Sequence, residues 1–168
     1  MKPYMVIDTD AHVEEGVETW KYLDPAFADR RPLPITLEGV PYLGNTNAFW
    51  LVDSKLTHRP VGRGANITLT PTTMKAARAK SMPIGAQELT DVDERVRVLD
   101  AVGIDVQVIF PSIFNRPLSD DPQLETALQR AYNTWIAETC AQRPNRLKWV
   151  AIIPLQEPAV APAEARRA

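Results

Sequence analysis

The stretch Val6-Ile7-Asp8-Thr9-Asp10-Ala11-His12-Val13-Glu14-Glu15 decides how this chain reads. The apolar run from Tyr4 to Ile7 shows no alternation, the pattern of a strand covered on both faces, and predicts a strand over Tyr4–Asp10. Asp8, Asp10 and His12 then follow at a spacing of two. Residues two apart in extended backbone point the same way, so Asp10 and His12 can aim at one point beyond the strand's C-terminal end. A carboxylate and an imidazole converging there suit a divalent metal, with Asp8 orienting the site from behind. The same residues also suit a capped strand end with solvated polar side chains. The motif alone leaves both readings open.

Downstream, the regular part of the chain begins near residue 90. Thr90 or Asp91 caps a helix whose apolar residues Val92, Val96, Leu99 and Val102 keep helical spacing, and Gly103 ends it. Ile104–Phe110 is the next strand, closed by Pro111. Asp121 and Pro122 open a longer helix with a buried stripe of Leu124, Leu128, Ala131 and Trp135, stopped by Pro144. Leu147–Ile153 is a third strand, and a third helix starts at Glu157-Pro158. Three βα units with buried-type strands argue for an α/β chain with a parallel sheet in the order 1-2-3.

Residues 31–88 break this rhythm. Ile35–Val40 alternates like a strand, Gly44-Asn45-Thr46-Asn47 is turn chemistry, and Ala48–Val52 follows as a second strand. This predicts a β-hairpin inserted after the first strand. His58 through Ala86 reads as a long loop spaced by proline and glycine, with a helical turn near Met74–Ala79. His58 reads as a solvated loop imidazole, and Arg59 and Arg63 suit a bidentate grip on a substrate carboxylate. Trp20, Leu23 and Phe27 read as core of short helical turns beyond the first strand.

Composition narrows the function classes. The chain has 168 residues, 45% hydrophobic and 24% charged, enough for one domain with a real core. A net charge of −2 gives no electrostatic footprint for nucleic acid or an anionic membrane. No apolar run approaches the ~20 residues of a membrane helix. The single cysteine, Cys140, excludes an internal disulfide and fits a reducing compartment, so a cytoplasmic location is expected. Cys140 reads as a small buried residue of a helix, not as a nucleophile.

Asp-x-Asp-x-His-Val-x-Glu on a first strand resembles the amidohydrolase superfamily. The closest branch is the amidohydrolase-related group that includes aminocarboxymuconate-semialdehyde decarboxylase and γ-resorcylate decarboxylase. Gly103-Ile104-Asp105-Val106-Gln107-Val108-Ile109-Phe110-Pro111-Ser112, Ala131-Tyr132-Asn133-Thr134-Trp135, Arg146-Leu147-Lys148 and Pro154-Leu155-Gln156 strengthen the likeness. The resemblance implies the N-terminal part of a TIM-type (β/α)8 barrel over 1–168, with 31–88 as the inserted hairpin and loop. It implies Asp10 and His12 as metal ligands, Zn²⁺ or Mn²⁺ in the complete protein, and a small-molecule carboxylate substrate. Hydrolysis and non-oxidative decarboxylation both occur within the group.

The likeness also runs out. Such a barrel takes about 250 residues, and the family's later ligands, histidines after the fifth and sixth strands and an aspartate after the eighth, have no counterpart here. Within the chain only Asp10 and His12 are named as ligands, with Glu15 as a doubtful third, and no catalytic residue is named. Two readings are therefore carried: the N-terminal portion of a metal-dependent hydrolase or decarboxylase, or a non-catalytic, truncated half-domain. The expected partners are the C-terminal half of the barrel or a second copy through self-association.

Overall fold

A computed structural model describes residues 4–36, 48–59 and 82–168. In chain order the elements are β1 (Ile7–Val13), two 3-10 helices (Val17–Tyr22 and Pro25–Arg30), β2 (Leu33–Thr36), β3 (Ala48–Val52) and β4 (Lys55–Arg59). There follow α1 (Ile84–Gln87), α2 (Val92–Val102), β5 (Val106–Pro111), a 3-10 turn (Ile113–Asn115), α3 (Pro122–Cys140), β6 (Leu147–Trp149) and α4 (Ala161–Arg167).

β1, β5 and β6 form one parallel sheet in the order β1-β5-β6, the sequential order that βα units produce. The first strand lies three residues later than the apolar run suggests. Pairing starts only at Ile7 with Val106, so Tyr4 and Met5 sit ahead of the partner strand and are about two-thirds exposed, contrary to the covered strand expected there. Ile7 is also half exposed, because β1 is an edge strand and nothing among the described residues covers its second face. β6 is shorter than expected, although the Val150 N–H still reaches the Ile109 carbonyl at 3.0 Å.

The helices form where their caps are. Asp91 accepts the Glu94 N–H at 2.8 Å, and Gly103 closes α2 in the left-handed region at φ 79°. Only glycine adopts that backbone without strain. The buried face of α2 is Val92, Arg95 and Leu99, while Val102 is 65% exposed; the apolar stripe read from sequence included Val102 and missed Arg95. Asp121 caps α3 through the Gln123 N–H at 3.0 Å, with Pro122 in the first turn, and Leu124, Leu128, Ala131 and Trp135 are all buried as the periodicity requires. The third helix begins at Ala161 and not at Glu157, because residues 157–160 are used in a turn closed by the Val160 N–H on the Glu157 carbonyl.

The insertion is a three-stranded antiparallel sheet, β2-β3-β4, where the sequence suggests a two-stranded hairpin. Val52 pairs with Lys55 across a two-residue loop, Asp53 (φ 48°) and Ser54 (φ 64°), so residues 55–59 are strand and not loop. Both positive φ values match a type I′ turn, which glycine or asparagine usually signals. The expected turn at Gly44–Asn47 and helical turn near Met74–Ala79 lie outside the described residues, as does Arg63.

α3 joins the two sheets. Its C-terminal half (Tyr132, Trp135, Ile136, Cys140) packs with Val13, Leu99, Ile109 and Leu147 against the parallel sheet. Its N-terminal half (Leu124, Leu128) packs with Trp20, Trp50, Val52, Ile113 and Leu118 beneath the insertion. Phe114 touches both clusters. Arg30 adds a clasp, donating to Asp53 on the insertion at 2.8 Å and to Asp121 at the α3 cap at 2.7 Å. The insertion is thereby tied to the N-terminal cap of α3. No described helix is long and apolar enough to cross a membrane.

Candidate metal centre at the end of the first strand

The β1–β5 register advances evenly at Ile7–Val106 and Asp8–Gln107, then jumps to Ala11–Ile109. One extra residue on β1 makes a bulge, and a bulge reverses the alternation of side chains. Asp8 falls beside buried Gln107, whose side-chain NH2 donates to Asp8 Oδ2 at 2.8 Å. Asp8 thus stands apart from Asp10 and His12, behind the pair. It supports them from there: Asp8 Oδ1 accepts the Asp10 backbone N–H at 3.2 Å.

Beyond the bulge, Ala11 and Val13 are buried while His12 is exposed. His12 Nε2 lies 3.8 Å from Asp10 Oδ1, and the side chains are 52% and 90% exposed. His12 Nδ1 lies 3.1 Å from the Pro111 carbonyl, which can only accept, so Nδ1 donates there and Nε2 is the ring atom that faces the Asp10 carboxylate. The Phe110 ring, 6.1 Å away centroid to centroid, flanks the imidazole. Two donors each about 2.1 Å from one ion lie at most roughly 4.2 Å apart, so the observed separation, with Nδ1 turned to a backbone carbonyl, fits a shared divalent cation.

The neighbouring carboxylates do other work. Glu15 is fully buried and accepts the Ser112 N–H at 2.9 Å and the Ile113 N–H at 3.3 Å. Both oxygens are thus committed to the backbone after β5, and Glu15 is not a third ligand. Burial pushes its carboxyl up to about 8. Glu14 accepts from the Ser112 hydroxyl at 3.4 Å, while its other oxygen is buried without a hydrogen-bond partner; burial pushes this carboxyl up to about 7. Arg59, named from sequence as a carboxylate grip, is already taken: its Nη2 pairs with Glu88 and its guanidinium lies 4.8 Å from the centroid of the Trp50 ring. Gly16 makes room for this pair, since a Cβ there would come within 3.1 Å of Glu88 Oε2.

Two residues that the sequence reading missed complete the surroundings. Arg95 and Gln107 are both buried, and Arg95 Nε donates to Gln107 Oε1 at 2.8 Å. Among the described residues no group of three or more His, Cys, Asp or Glu side chains converges to hold an ion.

No protein-family model and no curated protein matches the sequence. Among solved structures, an amidohydrolase from Mycobacterium avium subsp. paratuberculosis K-10 superposes with a TM-score of 0.67 at 19% identity, over 99% of this chain and 47% of that one. A 2,6-dihydroxybenzoate decarboxylase from Rhizobium superposes with a TM-score of 0.50 at 19% identity, over 97% of this chain and 34% of that one. The chain thus has the α/β fold of part of a TIM-type barrel, the fold of these two structures, and spans less than half the length of either.

Proposed function

We propose that this chain supplies the first two metal ligands, Asp10 and His12, of an amidohydrolase-type enzyme acting on a small carboxylic acid. The observation that carries this reading is the 3.8 Å approach of His12 Nε2 to Asp10 Oδ1 at the C-terminal end of the first parallel strand. In barrels of this kind that end of the sheet is where chemistry is built. A Zn²⁺ or Mn²⁺ ion would supply Lewis-acid polarisation of a bound water or of a substrate carboxylate. The chain's own residues present and orient the donors: Pro111 fixes the His12 ring, and Asp8 fixes the Asp10 backbone.

Hydrolysis and non-oxidative decarboxylation are both open to such a centre, and we favour the decarboxylase-type reaction because the sequence pattern is nearest to that branch. The remaining ligands come from further βα units, the natural partner of the β6 edge and of the exposed face of β1. The single buried Cys140 supports a reducing, cytoplasmic setting. With two donors from one strand, the 168-residue chain binds metal loosely and turns nothing over by itself.

The test compares this chain with a version extended through the later strands. Metal content and turnover should appear together in the extended protein and vanish together in His12→Ala, while Asp10→Asn isolates the charge of the carboxylate. Full activity of a metal-loaded extended His12→Ala protein would overturn the assignment.

A further inference from the structure

We infer that Arg95 is a positioning residue for the Asp10/His12 pair, gripping the main chain of both donors from the helix behind the sheet. The inference rests on the assignment of that pair as metal donors. Arg95 is 3% exposed; among the described residues its hydrogen-bond partners are Gln107, Met82, Ala86 and His12, and the Asp8 carboxylate acts on it through space without a direct hydrogen bond. A cation buried in this way costs stability that an apolar side chain of similar length would not. The reason for it therefore lies in what its N–H groups hold.

Three arms are defined. Nη2 donates to the His12 carbonyl at 3.1 Å. Nη1 donates to the Ala86 carbonyl at 3.1 Å, tying the α1 turn to the same point. Nε donates to Gln107 Oε1 at 2.8 Å. Arginine only donates, so the Gln107 oxygen must face it and the Gln107 NH2 must face away. That NH2 meets Asp8 Oδ2 at 2.8 Å, and Asp8 Oδ1 accepts the Asp10 N–H at 3.2 Å. One guanidinium thus holds the His12 carbonyl directly and the Asp10 N–H through two side chains. The bulge is where this matters, because the extra residue of a bulge is left out of the ladder and has no other fixed register. Burial pushes the Arg95 guanidinium down to about 10, which leaves it charged at neutral pH.

The experiment measures Zn²⁺ affinity by isothermal titration calorimetry, together with the ¹⁵N shift of the His12 imidazole in the proteins that keep it, circular dichroism, and hydrogen exchange at the Asp10 amide. The proteins are wild type, Arg95→Lys, Gln107→Met, Asp8→Ala and His12→Ala. Gln107→Met is nearly isosteric and leaves the Arg95 arms to His12 and Ala86 intact, so it carries the test if Arg95→Lys fails to fold. The expected result is a loss of Zn²⁺ affinity of about tenfold or more in Arg95→Lys and Gln107→Met, a smaller loss in Asp8→Ala, and faster exchange at Asp10 in all three. Secondary structure should be retained in Gln107→Met. Lower stability with unchanged affinity would mean a merely structural role and overturn the inference alone. Unchanged affinity in His12→Ala would overturn the metal assignment and the inference with it.

Discussion

Glu15 has no exposed surface and sits beside Glu14, so its carboxyl keeps a proton up to about pH 8 in the folded chain, against a value near 4.5 when exposed. Between pH 6 and 8 the folded state therefore binds a proton that the unfolded state has already lost. Stability must fall as the pH rises through that window, by about 1.4 kcal/mol per pH unit for each such group. Glu15 contributes a loss of roughly 2 kcal/mol from pH 6 to 8, and Glu14, raised to about 7, adds about 1. Asp53, Asp121 and Glu164 are shifted the other way, and all have finished titrating well below pH 6, so they do not oppose the trend. The assay is urea unfolding followed by the fluorescence of the four tryptophans at pH 6, 7 and 8, paired with ¹³C titration of the glutamate carboxyls. Glu15→Gln cannot lose a proton, but its NH2 cannot accept one of the two backbone N–H groups. It should be less stable than wild type at pH 6 by about 1–2 kcal/mol, with a shallower pH dependence, so that the two curves converge toward pH 8. Stability that is flat or rises from pH 6 to 8, or a Glu15 carboxyl titrating near 4.5, would refute the reasoning.

Packing gives two further expectations. Leu128, fully buried where α3 meets the insertion, should cost about 2–5 kcal/mol on Leu128→Ala, whereas Val102→Ala, at a 65% exposed position, should stay within about 0.5 kcal/mol of wild type by denaturant unfolding. Cys140 is 2% exposed and burial pushes its thiol up to about 12, so it should resist a thiol reagent such as DTNB in the folded chain and react stoichiometrically once urea unfolds it.

What the sequence reveals here follows the reach of each interaction. α3 is legible because its cap, Asp121-Pro122, and its stripe from Leu124 to Trp135 are local, and the parallel order follows from the βα rhythm. β4 is hidden because its turn, Asp53-Ser54, takes positive φ without the glycine or asparagine that marks such turns. The bulge in β1 has no local signature, since it is defined only against β5, and it is what sets Asp8 apart from Asp10 and His12. The burial of Glu15, read from sequence only as a doubtful third ligand, has no local signal, since the backbone of Ser112 and Ile113 nearly a hundred residues away draws it inside. Arg95 looks like one charge among several on α2. Its place three residues after Val92 and four before Leu99, facing a lone glutamine in an apolar strand, is the signal that marks it as buried.

The central claim is that His12 Nε2 and the Asp10 carboxylate present themselves together to one cation. With two histidines in the chain, long-range ¹⁵N NMR resolves the His12 ring directly. On titration with Zn²⁺, the Nε2 resonance should move, with the Asp10 carboxyl shifting in step and the effect weakening in Asp10→Asn. A His12 ring indifferent to Zn²⁺ would contradict the account.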